Sequence, residues 1–363
     1  MSDFDPQITR AGHRHAAAAP LRARRLSRRL AVVAVFLLGV AAVAIVIGVS
    51  LHVRLPFDRS GRAATAAKKP DRHKPHKRAP ASPTATVSTL ATLLAAASRV
   101  AAAPFGASGV LFLGGYDSAG APTNAIESFD GTAAVQAVGT LPVAAASAVA
   151  ATLGASIYLL GGGGSSIYAV SQIGSSVVGD LPSATADAAV ATVHGTAYVI
   201  GGYTGSSELA TIVAYTPGST PQVVATLPVA LRFATAAAIG GEVYVIGGET
   251  NGIATSRVYR FDPVTKTVTR FTRLPFARDR ESAAAIDGVI VVVGGLSTAS
   301  GQRTRAIYTI DPSSGVVHLA GLLPKAISDM TAIVGPGQII AAGGVNRNGV
   351  ASAAIYGIKV KAR

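Results

Sequence analysis

The chain has 363 residues, 40 of them Gly and none Cys or Trp, with 49% hydrophobic and 14% charged residues. That apolar content excludes a disordered chain, the glycines follow no three-residue collagen period, and the lack of Cys excludes disulfide scaffolds, thiolate catalysis, Fe–S clusters and thiolate zinc sites. The net charge of +14 is lopsided: residues 1–83 hold 16 Lys/Arg against 4 Asp/Glu, leaving 16 against 14 for residues 84–363, so no nucleic-acid-binding face is expected on the larger part.

Residues 1–29 read as a basic cytoplasmic tail, with Arg22, Arg24, Arg25, Arg28 and Arg29 crowded at its end. A transmembrane helix is expected over 30–53. Leu30–Leu51 carries no charge in 22 residues, which as a helix spans ~33 Å against a hydrocarbon core of ~30 Å. The stretch exceeds a signal-peptide apolar core and lacks a small-x-small cleavage site, so it reads as an uncleaved signal-anchor. The arginine excess on its N-terminal side favours the N-terminus in the cytoplasm and the rest outside, in a single-pass cell-membrane protein. The flanks suit anionic lipid or wall polymer. Residues 54–83, rich in Pro, Lys and Arg, cannot bury a core and read as an extended linker.

From residue 84 the chain repeats. Glycine pairs stand at Gly114-Gly115, Gly161-Gly162, Gly201-Gly202, Gly247-Gly248, Gly294-Gly295 and Gly343-Gly344, at spacings of 47, 40, 46, 47 and 49. A Leu-Pro precedes the last five pairs (Leu141-Pro142, Leu181-Pro182, Leu227-Pro228, Leu274-Pro275, Leu323-Pro324), with Pro always 19 residues before the first Gly; Leu94-Ala95 holds that offset in the first copy. Each unit reads as four strands, such as Phe233–Ile239, Val243–Ile246, Arg257–Phe261 and Thr267–Arg273. The runs are short, β-branched and without strict alternation, as in sheets covered on both faces. Radial repetition supplies the covering neighbours. Thr84–Leu93 resembles a fourth strand, whereas the sixth copy stops after a third-strand pattern at Ala353–Ile358. The fold class expected is therefore all-β: a six-bladed propeller over 84–363, closed by its N-terminal strand and preceded by one transmembrane helix.

The glycine pairs, aromatic third strands and Leu-Pro offsets resemble Kelch repeats, a galactose oxidase-like β-propeller family, here of a membrane-anchored bacterial type. The sequence departs from that pattern where the family has Trp on the fourth strand: Val135, Val177, Val223, Val268 and Val317 stand there, and Phe129 replaces the third-strand Tyr of the first copy. Packing between blades is thus expected to use small residues. The copper chemistry of galactose oxidase, which needs a Tyr–Cys crosslink, is excluded. His194 and His318 sit at different repeat offsets, so no shared metal site is expected, and no cofactor.

Loops after the glycine pairs and loops before the first strands are expected to open on one end of the channel, the end where Kelch domains commonly bind partners. The first set offers Tyr116, Asp117, Tyr203, Glu249, Asn251, Asn346 and Arg347. The second offers Arg99, Asp187, Arg232, Arg278, Asp279, Arg280, Glu281 and Asp329. Loops on a rigid scaffold are where function concentrates, and Arg232, Arg278 and Arg280 suit forked hydrogen bonds to oxyanions. The expectation is a membrane-anchored, non-catalytic protein whose propeller face binds a protein or glycan. The alternative is an enzyme acting on acidic sugars, since some Kelch-like propellers resemble sialic-acid epimerases or sialidases, with Glu249 or Glu281 as acid or base.

Overall fold

The computed structural model describes residues 82–361 apart from 133, 172 and 173. The expected tail, the expected helix over 30–53 and all but the end of the expected linker lie outside the described residues. Among the described residues there is no helix, and so none that is long and apolar enough to cross a membrane.

Six four-stranded antiparallel blades follow one another. Blade 1 is Ala101–Phe105, Gly109–Leu113, Ala125–Phe129 and Gln136–Thr140; blade 2 is Ala148–Leu153, Ser156–Gly161, Ser166–Ser171 and Gly174–Asp180. Blade 3 is Ala189–Val193, Thr196–Ile200, Thr211–Tyr215 and Gln222–Thr226; blade 4 is Thr235–Ile239, Glu242–Ile246, Ile253–Asp262 and Thr267–Arg278. Blade 5 is Ser282–Ile286, Val289–Val293, Ala306–Ile310 and Val317–Leu322. Blade 6 takes three strands from the C-terminus, Ile327–Gly335, Gln338–Asn346 and Ser352–Lys361, and its outermost strand, Thr84–Ala97, from the N-terminal end. That strand pairs antiparallel from Thr84↔Lys361 to Ala97↔Ser352, closing the ring.

Both faces of each blade are buried because alternate residues serve different neighbours. Val243 and Val245 pack with blade 3, whereas Tyr244 and Ile246 pack with blade 5. Six apolar clusters result, one per joint, and the last sets Leu93, Ile340 and Ile355 of blade 6 against Val100, Phe112 and Phe129 of blade 1. Each fully buried Val, Ile or Phe contributes about 1.5–3 kcal/mol, so the joints carry most of the stability. The innermost strands are rich in Ala because six of them converge on one channel.

The glycine pairs make the joints possible. All twelve glycines are left-handed, and a Cβ on Gly114, Gly161, Gly201 or Gly294 would come within 2.0–2.4 Å of a carbonyl oxygen in the next blade's entry loop. The second glycine donates across the same joint: Gly115 N–H to Ala145 O at 2.7 Å, Gly202 to Leu231 O at 2.8 Å, Gly295 to Ile327 O at 2.9 Å. Each acceptor lies three residues after a Leu-Pro proline, which explains the fixed offset. The entry loop and first hairpin form one unit that must reach the preceding blade's glycines.

Three expectations need correction. The first copy aligned Leu94 with the Leu-Pro leucines, but Leu93 is the buried residue at 4% exposure and Leu94 is 57% exposed; a register shift between Thr89 and Ala91, just before these leucines, slips this strand by one. The fourth strand of blade 4 does not end at Arg273. It runs through Leu274-Pro275 to Arg278, with a register shift at Thr255/Arg257, and an outermost strand tolerates a proline whose missing N–H faces solvent. The fourth-strand valines do not all fill the joints, since Val177 and Val223 are 57% and 49% exposed. Aromatic pairs do so instead: Tyr158 against Tyr215 between blades 2 and 3, and Tyr198 against Phe261 between blades 3 and 4.

Candidate functional site

Just ahead of the innermost strand in five blades, and two residues into it in blade 6, one residue per blade takes a left-handed conformation: Arg99, Ser147, Asp187, Phe233, Arg280 and Asp329, with φ from +49° to +59°. None is glycine, and such backbone is costly for a side chain as bulky as Phe. A chain of backbone hydrogen bonds holds them. Asp187 N–H donates to Ser147 O, Phe233 to Asp187, Arg280 to Phe233, Asp329 to Arg280 and Arg99 to Asp329, at 2.8–3.0 Å. The six form a collar at one mouth of a channel cavity of about 420 Å³. The residue preceding several collar positions pairs with the residue that follows a glycine pair, as in Ser98↔Tyr116, Ala186↔Tyr203 and Asp279↔Leu296. Both loop sets therefore open at this end.

Seven ion pairs join the mouth into one network. Arg99 Nε lies 2.9 Å from Asp329 Oδ1, and Arg99 Nη1 lies 3.3 Å from Asp187 Oδ1, reaching across from blade 1 to blade 3. Arg280 meets Asp279 at 2.7 Å, Asp329 at 3.5 Å and Glu249 at 3.9 Å. Arg232 meets Glu249 at 2.5 Å and Glu208 at 3.7 Å. The Phe233 ring stands at the centre, with the guanidinium carbons of Arg280, Arg99 and Arg232 at 3.9, 4.6 and 5.0 Å from its centroid. Cations over a partly desolvated ring gain about 1–2 kcal/mol each.

Burial sets the protonation. Asp279 and Glu249 are almost wholly buried, and Asp279 Oδ2 has no partner. Burial pushes the Asp279 carboxyl up to about 6, against the pull of Arg280 and with added push from Glu249. Asp187 is also raised, by burial that outweighs Arg99. Glu281, beside the collar, is buried with neither carboxyl oxygen in a hydrogen bond, its Oε1 at 1.6 Å from where a Gly247 Cβ would stand. Burial pushes it up to about 8, although the nearby Glu281 and Gly248 amides favour the charged form. Near neutral pH it holds its proton.

Of the residues proposed from sequence, the structure brings Arg99, Asp187, Arg232, Glu249, Asp279, Arg280 and Asp329 into the network, with Glu281 against it. Tyr116 and Tyr203 flank it beneath Arg99 and Arg232, at 5.7 and 4.9 Å. Asn251 N–H donates to both carboxylate oxygens of Glu208 at 3.0 Å. Asp117 and Asn346 cap the backbone of their own loops, and Arg347 stands exposed on the Asn346 loop. Arg278 packs instead over Phe276 and Tyr308. Sequence reasoning missed Ser147, Phe233 and Glu208. The first two were legible as the residues that share the repeat register of Asp187, Arg280 and Asp329; Glu208 carried no such signal.

Blade 4, from its entry loop to its closing Leu-Pro, is where a comparison with known families responds. Residues 230–275 match the Kelch motif. This Kelch unit contributes Arg232, Phe233 and Glu249 to the mouth. Among solved structures, "Structure of YjhT" superposes with a TM-score of 0.64 at 14% identity, covering 75% of this chain and 99% of that one; a likeness at that identity is one of fold. No curated protein matches the chain.

Proposed function

We propose that this protein is a membrane-anchored, non-catalytic binding protein whose propeller takes a glycan at the collared channel mouth. The observation that carries the reading is the convergence of five blades' charged or aromatic collar residues on one cavity of about 420 Å³. A concave pocket with a few placed polar groups suits a small ligand better than a flat protein face does. Anchoring through 30–53 with the propeller outside the cytoplasm draws on the uncharged run and its arginine-rich flank. A glycan array probed with the full-length chain tests the ligand class: retention of discrete saccharides supports the reading, and a clean array with a protein captured by crosslinking overturns it. Protease added to intact cells tests the topology, since a protected propeller would place it inside.

A second reading, an enzyme acting on acidic sugars, is favoured by one observation. Glu281 and Asp279 are two buried carboxyls with raised proton affinity beside an arginine cluster, a pattern common at catalytic sites. Turnover of any sialoside by the purified chain would replace the first reading with this one.

A further inference from the structure

The arginines at the mouth are neutralised from within. Arg99 has two carboxylates within 4 Å (Asp187, Asp329), Arg232 has two (Glu208, Glu249) and Arg280 has three (Asp279, Glu249, Asp329). Three guanidiniums thus face five carboxylates, a formal surplus of two negative charges. The carboxylates stand behind and the cations in front: side-chain exposure is 28%, 27% and 16% for Arg99, Arg232 and Arg280, against 14% or less for all five acids. Among the described residues, Arg99 Nη2, Arg280 Nη2 and Arg232 Nη1 donate no hydrogen bond. Each carries two N–H donors.

We propose that the mouth recognises an uncharged, oxygen-rich ligand, a neutral saccharide, which accepts hydrogen bonds from these leftover guanidinium donors. The inference rests on the glycan-binding reading above. An anionic ligand would enter a half-buried site that already holds more carboxylates than arginines, and would compete with Asp329 for both Arg99 and Arg280. A hydroxyl or amide carbonyl adds no charge and uses the same donors. Asp279 is in keeping with this: its carboxyl is raised by burial first and, against the pull of Arg280, by the neighbouring Glu249.

The test is calorimetric titration of the full-length chain with matched saccharides: lactose against sialyllactose, methyl glucoside against methyl glucuronide, and chitotriose triacetate against its deacetylated cationic form. The expected result is at least tenfold tighter binding of the neutral member, with a Kd that stays flat between about 50 and 500 mM NaCl, over which the screening length shrinks roughly threefold. Tighter binding of an acidic member, weakening with salt, overturns the proposal but leaves the glycan reading standing, as does tighter binding of the cationic member. Binding of no saccharide of any charge removes both. Asp329→Asn frees Arg99 and Arg280 and is expected to shift preference at least tenfold toward the acidic member. Should that variant fail to fold, Glu208→Gln, at the least buried of the five carboxylates, is expected to shift preference the same way by a few fold; no shift in either variant contradicts the proposal.

Discussion

Arg99 Nε donates to Asp329 Oδ1 at 2.9 Å, so the residue just past the closing strand is held by charge to the entry of blade 6. Ring closure and site assembly therefore share one side chain. Replacing Arg99 with Met would leave Asp329 and Asp187 without their main cation. Breaking a buried pair typically costs 3–5 kcal/mol; with 28% of the arginine side chain exposed, about 2 kcal/mol is expected. Chemical denaturation measures it, and the double variant with Asp329→Asn should recover part of the loss.

Glu281 gives stability a pH dependence of fixed sign. Its proton is held up to about 8 in the folded chain, against an ordinary value of 4.5. Between those values the unfolded chain releases the proton and the folded chain keeps it, so the stability present below pH 4.5 is lost as pH rises through 8. The full loss is roughly 5 kcal/mol at most. Glu281→Gln should flatten the fall in Tm between pH 5 and 8; an unchanged slope would show that another group causes it.

Two glycines separate strain from close approach. Gly201 and Gly205 are both left-handed, yet a Cβ on Gly201 would sit 2.3 Å from Leu231 O while one on Gly205 meets nothing within 4 Å. Gly205→Ala should cost about 1 kcal/mol, the conformational penalty alone. Gly201→Ala should cost about 3 kcal/mol, because the blade 3–blade 4 joint must also part. Equal losses would refute the contact as the reason for the motif.

The register of the closing strand is checked by a neighbouring pair. Leu93 is buried and Leu94 exposed. Leu93→Ala should destabilise by about 2–4 kcal/mol, and Leu94→Ala by less than about 0.5 kcal/mol. The reverse order would restore the register read from the repeat spacing.

The blade count, the strand order within each blade and the closure by Thr84–Leu93 were legible because glycine pairs and Leu-Pro mark positions where only those residues fit. Register in the first copy was not, since it lacks the proline that fixes the others. The valines at the fourth strand misled for a related reason: an outer strand can face solvent on one side, and sequence does not say which blade-to-blade gaps the second-strand tyrosines already fill. Most of the site was visible as charge gathered in loops. Its organisation was not, because the collar is defined by a backbone conformation, and Phe233 at its centre resembles a core residue until the three guanidiniums around it are placed.

A structure of the full-length chain with a saccharide retained on the array is the direct measurement. The sugar is predicted at the collared mouth, in contact with Arg99, Arg280 and Phe233. A sugar seated on the outer strands, or at the opposite end of the channel near Pro104 and Thr152, would contradict the assignment of the collar as the binding site.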